Sequence, residues 1–304
     1  MIDLSVKIGS LELKNPVLVA SGTFGYGTEY SKYLDVNKLG GIITKTITLS
    51  EREGNPLPRI AETPCGMLNS IGLANVGVEK FIEEKLPGLT ELNTVVIVNV
   101  AGNTVEEYGL VVEKFQGYDR VDGFEINISC PNVEKGGLAF GIDPELTHKV
   151  VFRVREATDK TVIVKLTPNV TDITSIAVAA VEAGADALSL INTILGLGID
   201  IETRRPLLAR GVGGLSGPAI KPIALAKVYQ VAKAVSVPVI GIGGITCWQD
   251  AVEFFIAGAT AVEVGTWNFV EPDGTIDIIQ GIEEFCYKKN IDNITDLVGS
   301  LREG

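Results

Sequence analysis

Eight short apolar runs recur along the chain, at residues 16–20, 41–45, 95–100, 123–128, 161–166, 187–191, 237–241 and 261–265. Each is rich in β-branched residues and nearly continuous in apolar character, as strands covered on both faces should be. Helical patterns separate them, at 105–115, 145–157, 173–183, 224–235 and 249–257. Ala183-Gly184-Ala185 and Ala257-Gly258-Ala259 each close a helix, with glycine as the left-handed cap. Alternation of eight strands with helices predicts a (β/α)8 barrel, a single domain over residues 1–304. An open doubly wound sheet is the competing architecture. It usually has fewer strands and a glycine-rich first turn, which Ser21-Gly-Thr-Phe-Gly25 only weakly resembles.

Residues 4–13 read as a hairpin around Gly9-Ser10 that caps the bottom of the barrel. Segments 46–76 and 192–218 are too long to be plain connectors. They follow the second and sixth strands, where long loops form a barrel's site or its cover. Residues 276–289 and 294–301 read as closing amphipathic helices.

The net charge of −12 argues against nucleic acid, whose phosphates require a basic face. The four cysteines, Cys65, Cys130, Cys247 and Cys286, are scattered. That spacing suits neither a disulfide framework nor a clustered zinc or iron–sulfur site, and it points to the cytosol. The N-terminus has no charged segment followed by a long apolar one, so no signal peptide is read. The most apolar stretch, 234–249, contains Pro238 and several glycines, so it reads as a strand and its loop, not a membrane span.

Chemistry-bearing residues gather where strands end. Asn127-Ile-Ser-Cys-Pro-Asn132 places the Cys130 thiol after the fourth strand, between two amides, with Pro131 expected to end that strand. A buried structural cysteine is the plainer alternative. Ser21 follows strand one. Lys45 and Thr46 follow strand two. Asn99, Asn127 and Lys165 close strands three, four and five. Asn192 and Thr193 follow strand six, Gly243-Gly244 strand seven, and Gly265-Thr266 strand eight. Two lysines on one rim suggest an anionic ligand, because a buried ammonium is costly without a partner. Alternatively each lysine reaches solvent or pairs with a structural glutamate such as Glu125. Glycines after strands seven and eight suit phosphate held on backbone N–H groups.

Other features read as structural. Gly211-Val-Gly-Gly-Leu-Ser-Gly217 fails the dinucleotide fingerprint, because Ser216 occupies its third glycine position and no strand precedes it. Ser216-Gly217-Pro218 is better placed to open a helix near a ligand. His148, the only histidine, lies in a helical pattern and reads as a surface residue, which argues against a serine–histidine hydrolase. Trp248 and Trp267 read as packing. Asp250, Glu253 and Glu263 lack metal-ligand spacing.

With these residues in view, the chain resembles the dihydroorotate dehydrogenases from about residue 15 to 268. The resemblance is carried by Asn15-Pro-Val-Leu-Val-Ala-Ser-Gly-Thr-Phe24, Gly54-Asn-Pro-Leu-Pro-Arg59 and Glu62-Thr-Pro-Cys-Gly-Met-Leu-Asn-Ser-Ile-Gly-Leu73. It continues through Asn127-Ile-Ser-Cys-Pro-Asn132, Val164-Lys-Leu-Thr-Pro-Asn169, Ile191-Asn-Thr193, Gly213-Gly-Leu-Ser-Gly-Pro-Ala-Ile-Lys-Pro222 and Gly241-Ile-Gly-Gly-Ile245. Cysteine at 130 is similar to the cytosolic class; the membrane-associated class has serine. The stretch from Glu62 and Lys135-Gly-Gly-Leu-Ala-Phe-Gly141 resemble the B type.

This resemblance implies oxidation of (S)-dihydroorotate to orotate on a barrel that carries FMN. Cys130 would be the base that takes the C5 proton while the C6 hydride goes to flavin N5. Ser21, Lys45, Thr46, Asn99, Asn127, Lys165, Ile191, Gly217, Gly243, Gly244, Gly265 and Thr266 would hold FMN. Lys45, Asn69, Ser70, Ile71, Gly72, Leu73, Asn127, Asn132, Asn192 and Thr193 would hold the pyrimidine. The B type further implies a partner subunit with FAD and a [2Fe–2S] cluster, in a heterotetramer of two chains of each kind that passes electrons to NAD. The chain's lack of its own dinucleotide or iron–sulfur motif agrees with such a partner. Other readings remain. They are an A-type homodimer reducing fumarate, a dihydropyrimidine dehydrogenase-like barrel, a dihydrouridine synthase-like enzyme and a non-catalytic phosphate-binding module.

Overall fold

The computed structural model describes residues 2–129, 131–132 and 138–302, with residues 131, 132 and 138 described by their backbone alone. Eight parallel strands close into a barrel: β1 (Val17–Val19), β2 (Gly41–Ile43), β3 (Val95–Val100), β4 (Gly123–Asn127), β5 (Thr161–Leu166), β6 (Ala187–Leu190), β7 (Val239–Ile242) and β8 (Ala261–Val264). Neighbours in sequence are neighbours in the barrel, and β8 returns to pair with β1. Nearly every strand residue is buried. Strands covered by side chains within and helices without have no face for water, which explains their unbroken apolar runs.

Helices α1 (Gly77–Lys80), α2 (Val105–Glu113), α3 (Pro144–Ala157), α4 (Ile173–Glu182), α5 (Lys221–Ala234), α6 (Trp248–Ala257) and α7 (Gly274–Lys289) follow β2 to β8 in turn. Their starts follow from local chemistry. Thr104, Asp143 and Asp172 each accept a backbone N–H at the N-terminus of α2, α3 and α4. Pro144 stands in the first turn of α3, where its missing N–H costs nothing. After β1 the chain makes only turns and a 3-10 turn (Val36–Lys38), steadied by Phe24 stacked on Tyr30 at 4.2 Å.

The N-terminal hairpin pairs Val6–Ile8 with Leu11–Leu13. Val6, Ile8, Leu11 and Leu13 are buried, while Lys7 and Glu12 face solvent. Ser10 Oγ lies 2.8 Å from Thr161 Oγ1, at the first residue of β5, so the hairpin closes the N-terminal end of the barrel.

The two long loops are not independent. Ile60–Thr63 and Gly66–Asn69 from one pair with Ile194–Gly196 and Gly213–Ser216 from the other in a single four-stranded antiparallel sheet. This sheet stands at the C-terminal end of the barrel.

Two expectations need correction. Strand β4 stops at Asn127, before Pro131, because Asn127 Oδ1 turns back to accept the Ser129 N–H at 3.2 Å. Pro131–Asn132 then pairs in antiparallel register with Leu138–Ala139. Residues 294–301 form only a 3-10 turn, Ile294–Leu297, and not an α-helix. Beyond it the Gly299 N–H and the Leu301 N–H bond the Phe255 and Ile256 carbonyls, which draws the chain along the end of α6 and away from helical winding.

Candidate active site

A cavity of about 1080 Å³ opens at the C-terminal end of the barrel, between the strand ends and the four-stranded sheet. It is lined by Ser21, Lys45, Thr46, Asn99, Asn127, Lys165, Ile191, Asn192, Thr193, Gly217, Gly243, Gly244, Gly265 and Thr266, and by Asn69, Ile71 and Leu73 from the first long loop. Ser70 and Gly72 do not line it. Ser70 Oγ accepts from Asn55 Nδ2 at 2.9 Å, and Gly72 packs against Asn55. Cys130 lies outside the described residues, and Asn132 is described only by its backbone.

The polar side chains of β3, β4, β5 and β6 are linked by the barrel's register. Asn99 pairs across with Glu125, and Lys165 sits between Asn127 and Ser189. Lys165 Nζ lies 3.3 Å from Glu125 Oε1 and 3.1 Å from Glu263 Oε2. The pairing with a structural glutamate is therefore real, and it involves two glutamates. Burial disfavours the Lys165 ammonium, but the two carboxylates more than offset this and hold its pKa above the usual lysine range.

Asn99 donates its amide to Glu125, while its own Oδ1 is buried and has no hydrogen-bond partner among the described residues. Asn192 Nδ2 donates to Ser129 Oγ at 2.9 Å and to Asn127 Oδ1 at 3.4 Å, and its Oδ1 accepts the Thr193 N–H at 2.8 Å. Amides held this way are pre-set in orientation before any ligand arrives.

Lys45 is the contrasting cation. It is half-buried, and its Nζ has no hydrogen-bond acceptor among the described residues. Burial and then the charge of Arg59 push its pKa down, while Glu29 opposes the shift. An ammonium that is partly desolvated and repelled by a second cation favours an anionic ligand.

On the opposite rim, Gly243 (φ 130°) and Gly244 (φ 73°) turn the chain after β7 through a conformation that side chains rarely adopt. A Cβ on Gly244 would stand 2.9 Å from the Lys221 nitrogen and 3.0 Å from the Gly217 oxygen. Asp250 braces this turn: its Oδ2 accepts from the Thr246 N–H at 2.8 Å and the Cys247 N–H at 3.2 Å, and Lys221 Nζ lies 2.6 Å from Oδ1. Burial works against the Asp250 carboxylate, yet Lys221 and the Thr246 donors hold its pKa below the usual range. Thr266 Oγ1 donates to Ser216 Oγ at 2.8 Å, tying the β8 turn to the second long loop.

Sequence reading missed the bracing role of Asp250 and the inward placement of Glu263. Asp250 stands three positions after Cys247 at a helix start, which is a capping signal. Glu263 interrupts an apolar strand, and a charge inside a buried run was the available clue. Of the tryptophans, Trp267 lines the cavity, whereas Trp248 packs on Phe285 at 5.5 Å. His148 stacks on Phe152 on α3 and does not line the cavity.

The donor set fits a phosphorylated, ring-bearing anion such as FMN. It offers an ammonium at the floor, a buried amide oxygen without a partner and a glycine turn that a Cβ would obstruct.

Comparison with known proteins gives a consistent result. A family model described as dihydroorotate dehydrogenase matches residues 3–286. The chain is 56% identical over 301 residues, 99% of each chain, to the dihydroorotate dehydrogenase B (NAD(+)) catalytic subunit of Thermoanaerobacter sp. (strain X514). It is 57% identical over 299 residues, 98% of each chain, to the protein of the same name from Geotalea uraniireducens (strain Rf4). Against that of Bacteroides thetaiotaomicron the identity is 53% over 301 residues, again 99% of each chain. The chain belongs to the dihydroorotate dehydrogenase family.

Proposed function

We propose that this chain oxidises (S)-dihydroorotate to orotate in de novo pyrimidine synthesis, as the catalytic member of an NAD-linked, B-type assembly. The observation that carries this reading is the cavity lining: lysines, asparagines and glycine turns from all eight strand ends meet there, in a chain more than half identical to such subunits end to end. We assign residues 1–304 to one FMN-binding barrel domain. FMN would be held by Ser21, Lys45, Thr46, Asn99, Asn127, Lys165, Ile191, Gly217, Gly243, Gly244, Gly265 and Thr266.

Bound FMN supplies a two-electron acceptor for the hydride that leaves C6 of the substrate. The chain's own residues do the rest. Lys45 binds the substrate carboxylate, whose charge compensates the ammonium's partial desolvation. Asn69, Asn127, Asn192 and Thr193, with Asn132, hold the ring amides. A site built from amides rejects analogues that leave them unpaired. Ile71 and Leu73 exclude water from the ring, and Ser70 and Gly72 shape the loop that carries them. Cys130 takes the C5 proton. A thiol of free pKa ~8.5 needs help from nearby positive charge to act near neutrality.

Electrons leave through a partner subunit. A chain of this reading needs a partner with FAD and a [2Fe–2S] cluster, and we propose two chains of each kind, in the cytoplasm. Among the described residues, no helix is long and apolar enough to cross a membrane.

The test is direct. The purified chain should show flavin absorbance, and dihydroorotate added without oxygen should bleach it. NAD should restore the colour only with the partner present. Restoration by fumarate on the isolated chain would favour the A-type reading, and a colourless protein unable to take up FMN would reject both.

A further inference from the structure

The layer beneath the cavity floor is charged, where a barrel core is ordinarily filled by branched apolar residues. Glu125 of β4, Lys165 of β5 and Glu263 of β8 meet there, with both glutamates fully buried. They are the only titratable side chains in the eight barrel strands. Neither β7 nor β1, which flank Glu263, brings a second cation.

The two carboxyl groups are not equivalent. Glu125 accepts from Lys165, from Ser189 Oγ at 2.8 Å and from Asn99 Nδ2. Glu263 accepts from Lys165 on Oε2, and its Oε1 is buried without a hydrogen-bond partner among the described residues. Two carboxylates against one ammonium would leave an uncompensated negative charge in the barrel's interior, directly below the cavity. Buried charge that is not paired is costly, and the usual escape is a proton.

We propose that Glu125 and Glu263 hold one proton between them, so that the triad with Lys165 is electrically neutral and Lys165 stands as a full ammonium beneath the cofactor. The proton resides on Glu263, the carboxyl with fewer donors. Burial first, and then the neighbouring Glu125 carboxylate, push its pKa well above the usual range. The glutamates are a positioning pair. They do not touch the reacting atoms but fix the charge state of the lysine that does face the cavity. With the triad neutral, no fixed negative charge opposes the charge a bound flavin gains on reduction. This inference rests on the flavin reading of the cavity.

Infrared spectroscopy of the full chain tests it. The wild-type protein should show the deuterium-sensitive carbonyl stretch of a protonated carboxylic acid at neutral pH, and Glu263→Gln should lack it. Glu125→Gln should lack it too, since the one remaining carboxyl ionises against Lys165. Glu263→Gln mimics the neutral acid, so the ratio of affinities for reduced and oxidised FMN should change less than about threefold. That is about 14 mV in midpoint potential, at 29.6 mV per tenfold for two electrons. Absence of the band from wild type at neutral pH would overturn the proposal. So would a tenfold or greater shift of Glu263→Gln toward reduced flavin, the signature of removing a real negative charge. If Glu263→Gln does not fold, the wild-type band and Glu125→Gln decide. The band is read whether or not dihydroorotate bleaches the flavin, so failure here and failure of the functional reading are separate results.

Discussion

Two lysines of similar sequence context have opposite surroundings. Lys165 is enclosed by two glutamates, whereas Lys45 has no acceptor among the described residues and faces the cavity beside the charge of Arg59. The difference suits them to different tasks. Lys165 is fixed in the floor, and Lys45 is the cation we propose for an anionic ligand. Replacement of Lys45 by Met should lower kcat/KM for dihydroorotate by about 10–100-fold, the worth of a charge-assisted hydrogen bond of about 1.5–3 kcal/mol. Steady-state kinetics would show this, and an unchanged kcat/KM would remove Lys45 from substrate binding. Cys130→Ala should keep its yellow flavin and lose roughly 10²–10⁴ in dihydroorotate oxidation, the usual contribution of a positioned base. Cys130→Ser should recover part of the activity as pH is raised. Near-normal turnover in the alanine variant would end the assignment of Cys130 as base.

At the scale of elements, the turn after β7 depends on a single carboxylate. Asp250 satisfies the Thr246 and Cys247 N–H groups at the start of α6 and pairs with Lys221 at the start of α5. Asp250→Ala should therefore cost about 0.5–2 kcal/mol of stability, as loss of a helix cap does, and weaken FMN binding through the slackened glycine turn. The pH dependence has a definite sign. The folded-state pKa of Asp250 is lowered, so its stabilisation is complete above the unfolded carboxylate value of about 3.9 and is lost as pH falls through the folded value. Denaturant titrations of wild type and Asp250→Asn should converge as pH drops below about 4, and parallel curves down through that window would contradict the assignment.

The elements themselves were legible to different degrees. The eight strands and the helices from 105 onward show in the sequence because burial on both faces, or on one stripe, repeats locally. The hairpin shows because Gly9-Ser10 separates two alternating triplets, of which Val6, Ile8, Leu11 and Leu13 face inward. The four-stranded sheet over the mouth does not show. Its strands are three or four residues long and include Gly213 and Gly214, and the one pairing that joins the two long loops spans more than a hundred residues, as in Asn69 with Gly214. Nothing local records such pairing. Strand-end residues were legible as a group, because a parallel barrel places every strand's C-terminal end on one face. Which of them pair with one another was not, since Glu263 meets Lys165 across the barrel from 98 positions away.

The whole molecule joins a largely apolar barrel, charged at Glu125, Lys165 and Glu263, to a polar mouth. Its core is continuous from the N-terminal hairpin to the layer under the cavity, and polar groups concentrate where the strands end. Because the glycine turns, the second long loop and Lys165 all border one cavity, ligand binding should stabilise the fold as a unit. FMN at a hundred times its Kd should add about 2.7 kcal/mol to the flavin-free protein. With an unfolding entropy of about 2.1 cal/mol/K per residue, that raises Tm by roughly 4 °C. Calorimetry of the protein with and without added FMN measures it directly, and an unchanged Tm would show that the folded chain does not bind FMN. Oxidation of dihydroorotate at a flavin bound in this cavity can be followed by anaerobic titration of the purified, FMN-loaded chain with dihydroorotate, read by flavin absorbance. Stoichiometric bleaching should result, with orotate formed in equal amount. A flavin that stays yellow in excess dihydroorotate would contradict this reading of the cavity.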